Sequence, residues 1–141
     1  MSSRMKLMNY LLILNDPPYG TERSYNALRL ANSLVKDEKN TVAVFLMGDA
    51  ASCGVPGQST PNGYYNIDRM LKILASKGGK IGACGTCMDA RGMKPESLAR
   101  RRTSRFDGRT DGAGRRKPIR LLSSELIHGP AVLATGIPAL R

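Results

Sequence analysis

Apolar residues fall along this chain in two alternating rhythms. Residues 7–14 read L-M-N-Y-L-L-I-L, a nearly continuous apolar run that suits a strand buried on both faces of a sheet. The run stops at residues 15–20, N-D-P-P-Y-G, where two prolines and a glycine forbid regular structure. Thr21 then fits a helix N-cap, with Glu22 placed favourably against the positive end of the helix dipole. Ala27, Leu30, Ala31, Leu34 and Val35 recur at helical spacing. The same unit returns with residues 41–47, T-V-A-V-F-L-M, which end at Gly48 and Asp49 and lead into a long loop carrying Cys53, Gln58 and a Pro61-Asn62-Gly63 turn. Tyr64 and Tyr65 are expected to begin the second helix, whose stripe is Ile67, Met70, Leu71 and Leu74, and Gly78-Gly79 closes it. A brief third strand follows at residues 80–83, and Pro95 is expected to open a third helix.

Strand and helix alternating three times predict a parallel α/β sheet with right-handed crossovers, formed as one domain over residues 1–99. In open parallel sheets ligands sit beyond the carboxyl ends of the strands. Those ends feed the loops at residues 15–20, 48–63 and 84–92, which should therefore gather on one edge.

Composition narrows the class. Apolar residues are 41% of the 141, and no run approaches the roughly 18 needed to span a bilayer. Residues 1–6 lack the small-residue cleavage site of a signal peptide. Three cysteines suit a reducing cytoplasm better than a secreted disulfide scaffold. The charge is uneven: residues 1–99 carry 12 Lys and Arg against 8 acids, and residues 100–141 carry 10 against 3. The basicity is thus mainly a property of the tail. That tail has one aromatic, Phe106, and no recognition motif, so a nucleic-acid partner is not expected.

The candidate chemistry is sulfur. Residues 81–92 read I-G-A-C-G-T-C-M-D-A-R-G, placing Cys84 and Cys87 in C-x-x-C spacing directly after the third strand. The first loop has neither G-x-G-x-x-G nor G-K-[ST], so it offers no phosphate cradle. The single histidine, His128, lies in the tail, leaving no partner for a Cys-His pair. A structural zinc site needs four ligands, and Cys53 would be a third at best, so neither a metal nor a cofactor is expected. A thiolate is favoured near a helix N-terminus or a cation, here with Arg91 close in sequence. Cys87 could resolve an adduct formed on Cys84 or simply sit beside it. The edge offers Asn15, Asp16, Tyr19, Asp49, Cys53, Gln58, Asp89 and Arg91 for binding. Cys53 fits a small buried hydrophobe as well as a functional thiol, and Asp16 and Asp49 fit turn formers as well as acid-base groups.

Four stretches together carry a resemblance: N-D-P-P-Y-G-T-E-R-S-Y-N-A-L-R-L-A at 15–31, F-L-M-G-D-A at 45–50, G-Q-S-T-P-N-G-Y-Y-N at 57–66 and C-G-T-C-M-D-A-R-G at 84–92. Over roughly residues 5–99 the chain resembles the DsrE/DsrF-like family, in particular its YchN-like branch. The resemblance implies a flavodoxin-like three-layer α/β sandwich with a mainly parallel sheet and assembly into homotrimers or homohexamers; that no membrane partner is expected follows from the composition instead. In sulfur-relay members it implies a cysteine after the third strand that carries a persulfide between donor and acceptor proteins. Cys84 matches that position by its spacing to Arg91-Gly92. The alternative is a non-enzymatic oligomeric module that binds a small ligand or a metal.

The tail, residues 100–141, departs from the pattern. Relatives of this branch continue with a tryptophan-containing helix and a strand resembling A-D-K-V-L, whereas this chain alternates Gly and Arg and contains no tryptophan. Two readings fit: a disordered basic extension, or a shifted reading frame. Residues 116–121 can be encoded as CGG AAG CCG ATA AGG TTA, which from its third base reads E-A-D-K-V. Leu121-Leu122 or residues 131–134 could still supply a poor fourth strand.

Overall fold

The computed structural model describes residues 8–99 in full and, beyond them, the backbone of two strands. In chain order the elements are β1 (Met8–Leu14), α1 (Arg23–Leu34), β2 (Asn40–Leu46), α2 (Ile67–Ser76), β3 (Lys80–Cys84), α3 (Gly85–Asp89), β4 (Thr103–Phe106) and β5 (Ile119–Ser123). Single 3-10 segments lie at Gly48–Gly54 and Pro95–Ser97.

The three strands read from the apolar runs form a parallel ladder in which Leu14 lies opposite Leu46 and Leu46 opposite Ala83. The mixed α/β architecture and parallel sheet are those the sequence pattern predicts. The sheet is wider than three strands: its order is β4-β3-β2-β1-β5, with β4 parallel to β3 and β5 parallel to β1. β5 contains Leu121-Leu122, and β4 arises from T-S-R-F, where no apolar rhythm announces a strand. Residues 100–102, 107–118 and 124–141, and with them the rest of the basic or frame-shifted tail, lie outside the described residues.

Side chains alternate across the sheet, as the two-residue period of a strand requires. Leu12 and Leu14 on β1, Val42, Val44 and Leu46 on β2, and Ile81 and Ala83 on β3 are buried in one cluster. That cluster also holds Ala27, Leu28 and Ala31 of α1 and Ile67, Leu71 and Leu74 of α2. Each fully buried Leu or Ile contributes about 1.5–3 kcal/mol of transfer free energy. The opposite positions, Leu11, Ile13, Ala43 and Phe45, are half-buried, so β1 is not sealed equally on both faces. Among the described residues α1 and α2 form the helical layer against the sealed face.

Several helix ends differ from expectation. Glu22 rather than Thr21 precedes α1, and no side chain caps that end. α2 begins at Ile67, where the Asn66 side chain accepts a hydrogen bond from the Arg69 N–H at 2.9 Å. Tyr65 therefore precedes the helix, with its ring stacked 4.2 Å from that of Tyr25, while Tyr64 is 71% exposed. Pro95 opens only one short turn; the helix after β3 is α3, which starts directly at Gly85. Five residues are too few to show a periodicity.

Gly78-Gly79 close α2. Gly78 takes φ +86°, and Gly79 N–H reaches back to Leu74 O at 3.0 Å, a glycine C-cap. A Cβ on Gly79 would lie 2.5 and 2.6 Å from carbons of the buried Leu74 side chain. Gly79→Ala is therefore expected to lower unfolding free energy by about 1–3 kcal/mol through overpacking. Urea unfolding measures it, and unchanged stability would show that the α2–β3 turn opens without loss.

Candidate functional site

Because β1, β2 and β3 end at the same level, their following turns are brought side by side. Met47 N–H donates to Leu14 O at 2.9 Å, continuing the β1–β2 ladder by one residue. Leu46 lies opposite Ala83, so Met47 follows opposite Cys84, and on the other side Cys84 pairs with Phe106. Met47, one residue past the last β2–β3 register pair, is 37% exposed.

Cys84 is both the last residue of β3 and the N-cap of α3. Its Sγ accepts the Cys87 backbone N–H at 3.4 Å and shares a hydrogen bond with Thr86 Oγ1 at 3.2 Å. A sulfur here does what a serine or aspartate oxygen does at an ordinary N-cap, satisfying an N–H left over at the helix start. Both Cys84 and Cys87 are free thiols and half-buried. Burial pushes the Cys84 thiol up, but the Cys87 side chain, the Thr86 hydroxyl and the backbone of both residues outweigh it and hold the thiol below its ordinary value. Arg91 is not among the groups that lower it, contrary to the expectation from sequence proximity.

The remaining candidates sort into two hydrogen-bonded groups. The first ties the turn after β1 to the turn after β2. Tyr19 Oη donates to Gln58 Oε1 at 2.7 Å and accepts from Ile67 N–H at 3.2 Å, and Gln58 Nε2 donates to Cys53 O at 3.0 Å and Val55 O at 2.8 Å. Asp16 joins this group through its carbonyl, which accepts from Ser24 Oγ at 2.7 Å and from the Cys53 thiol at 3.7 Å. Its carboxylate faces Arg23 at 3.7 Å. Cys53 is fully buried, and desolvation pushes its thiol up to about 12. Its environment is that of a core residue.

The second group touches the cysteine turn. Arg91 donates through Nε and Nη2 to Asp49 Oδ1 at 3.0 and 2.8 Å, and through Nη1 to Cys87 O at 3.0 Å. Asn15 is half-buried, and its carbonyl lies against Gly48, which takes φ +53°. Asp89 is exposed at the end of α3.

Thr86 and Met47 were not legible as site residues from the sequence. The signal for Thr86 is a hydroxyl between two cysteines at the start of a helix, where it can fold back onto the first sulfur. Met47 is signalled only by strand register. A polar cavity of about 180 Å³ lies elsewhere on this edge, lined by Gln58, Thr60, Asn62, Tyr64, Asn66 and Arg69 among others, and contains neither Cys84 nor Cys87. Among the described residues no cluster of three or more His, Cys, Asp or Glu could hold a metal ion, and no helix is long and apolar enough to cross a membrane.

The two thiol environments give opposite expectations. At pH 7 a thiol at about 12 is ionised to roughly one part in 10⁵, so iodoacetamide should modify Cys84 first and leave native Cys53 untouched, as peptide mapping would show. The folded state holds the Cys53 proton above the pH at which the unfolded chain releases it. This group's contribution is therefore full below the unfolded value of 9.0 and is lost as pH rises toward about 12. Over that window stability should fall by about 1.4 kcal/mol per pH unit more in the parent than in Cys53→Ala. Equal alkaline slopes in urea unfolding would contradict this.

Comparison with known proteins places the arrangement. The model of the DsrE/DsrF-like family matches residues 8–111. Protein YchN of Escherichia coli is 40% identical over 88 residues, covering 62% of this chain and 74% of that protein. An uncharacterized protein of Methanocaldococcus jannaschii is 34% identical over 91 residues, covering 64% of this chain and 78% of its own length. The crystal structure of the ychN protein from E. coli superposes with a TM-score of 0.67 at 29% identity, covering 82% of this chain and 98% of that one.

Proposed function

The chain belongs to the DsrE/DsrF-like family, and from that premise we propose that it acts as a sulfur-relay protein of the cytoplasm, carrying persulfide sulfur on Cys84. The observation that supports this most directly is the state of that thiol: it ends a strand, caps a helix with its sulfur, and is held below its ordinary value by Cys87 and Thr86.

In the proposed cycle the Cys84 thiolate attacks the outer sulfur of a donor protein's persulfide. The donor S–S bond breaks, the donor leaves as a thiolate, and Cys84 holds the sulfur as its own persulfide. An acceptor thiolate then attacks that outer sulfur, and Cys84 is regenerated as the leaving thiolate. Where no acceptor intervenes, the Cys87 thiolate attacks the inner sulfur, forming a Cys84–Cys87 disulfide and expelling hydrosulfide; a thiol reductant must then reset the pair. The N–H and hydroxyl at Cys84 Sγ stabilise the anionic sulfur in the attacking and leaving steps alike. Assembly as a homotrimer or homohexamer belongs to the same proposal and rests on the family resemblance.

Incubation with a low-molecular-weight persulfide should add sulfur atoms to the intact protein that a reducing agent removes. Cys84→Ser should abolish the addition while leaving thermal unfolding unchanged. Loading that persists in Cys84→Ser would move the role to Cys87. A parent protein that never loads would refute sulfur carriage and leave the binding-module alternative.

A further inference from the structure

Arg91 reads in sequence as a ligand-binding cation, yet its Nε, Nη1 and Nη2 are all engaged within the protein. α3 is one turn and a half long, far below the length at which a helix holds itself together. Its geometry must come from what grips its ends. At the C-terminal end, Thr86 O accepts from Ala90 N–H, Met88 O from Arg91 and Met93 N–H, and Asp89 O from Gly92 N–H, with Gly92 in the left-handed region at φ +63°. The Cys87 carbonyl takes a side-chain donor, Arg91 Nη1. The same residue supplies the N–H that meets Cys84 Sγ.

We propose that Arg91 is a positioning residue for the Cys84 thiol: anchored on Asp49, its guanidinium holds the Cys87 carbonyl and so keeps the Cys87 N–H aimed at Cys84 Sγ. A chain of contacts thus runs from the turn after β2, through Asp49, Arg91 and Cys87, to the sulfur. The ion pair itself is exposed, with Asp49 at 66% and Arg91 at 35% side-chain exposure. Exposed pairs of this kind contribute little to stability, so what this pair supplies is orientation. A lysine at this position would keep the charge and one bond to Asp49, but a single nitrogen cannot form the planar fork that reaches Asp49 and the Cys87 carbonyl together.

This inference rests on Cys84 being the reactive thiol, and it is tested without sulfur transfer. Iodoacetamide alkylation of the full chain is followed by peptide mapping across pH, reading Cys84 and Cys87 separately in the parent, Arg91→Lys, Arg91→Ala and Asp49→Asn. The charged groups on the described elements around this turn are Asp49, Asp89 and Arg91, with Arg105 on β4 opposite Ala83 and Lys80 at the far end of β3. Arg91→Lys changes none of those charges, so a moved midpoint in that variant reports geometry. The expected result is a several-fold slower alkylation of Cys84 at pH 7, with its midpoint moved to higher pH, while the thermal midpoint of Arg91→Lys stays with the parent. Asp49→Asn should show the same change in smaller measure. Unchanged Cys84 rate and midpoint in Arg91→Lys and Asp49→Asn would overturn the proposal, whatever happens to their stability. Failure of persulfide loading would leave it standing, because alkylation reads the thiolate alone.

Discussion

The common termination of three parallel strands is the constraint on which the site depends. Leu14, Leu46 and Ala83 share one level of the ladder, so the three chains must leave the sheet together and their turns must solve the same crowding. Each does so differently. The turn after β1 uses prolines, hydrogen bonds accepted by the Asp16 carbonyl and one donated by Tyr19, the turn after β2 winds into a 3-10 segment that buries Cys53, and the turn after β3 goes straight into a helix. Only the last leaves its sulfur at the rim.

The contrast between Cys53 and Cys84 shows how one residue type acquires two chemistries. Cys84 ends a strand and Cys53 lies in the turn after one. Cys53 is walled in by the core cluster and its ionisation is suppressed by desolvation, whereas Cys84 stays half-buried with donors already pointed at the sulfur. In a doubly wound sheet a small-molecule crevice belongs where the strand order reverses, here between β1 and β5. Cys84 lies two strands away, between β2 and β4, and outside the polar cavity at Gln58 to Arg69.

The central fold was legible because its signals are local. β1 and β2 are dense apolar runs, and α2 announces itself through Ile67, Leu71 and Leu74 and ends at Gly78-Gly79. The α3 helix was not, since five residues carry no period and its start is written as a cysteine where a serine or aspartate would be read as a cap. β4 was hidden by its composition, T-S-R-F, whose placement comes from pairing with Ile81 to Cys84 rather than from its own pattern. Cys84 itself could be located by spacing. The partner of Arg91 could not, because Asp49 is 42 residues away in the chain.

Gly48 makes the same point from the backbone. A Cβ there would sit 3.7 Å from Asn15 O and 3.8 Å from Arg91 Nη2, which are ordinary contacts, so space does not demand glycine. Its φ of +53° does, since other residues reach that region only at a cost. The turn it permits ends β2 abruptly and delivers Asp49 to Arg91 on the very next residue. A backbone freedom at one strand end is thereby converted, through a carboxylate and a guanidinium, into the orientation of an N–H at the next strand end. The geometry around Cys84 is in this sense specified by the loop of its neighbour, and a search confined to the cysteine motif would miss half of what sets it.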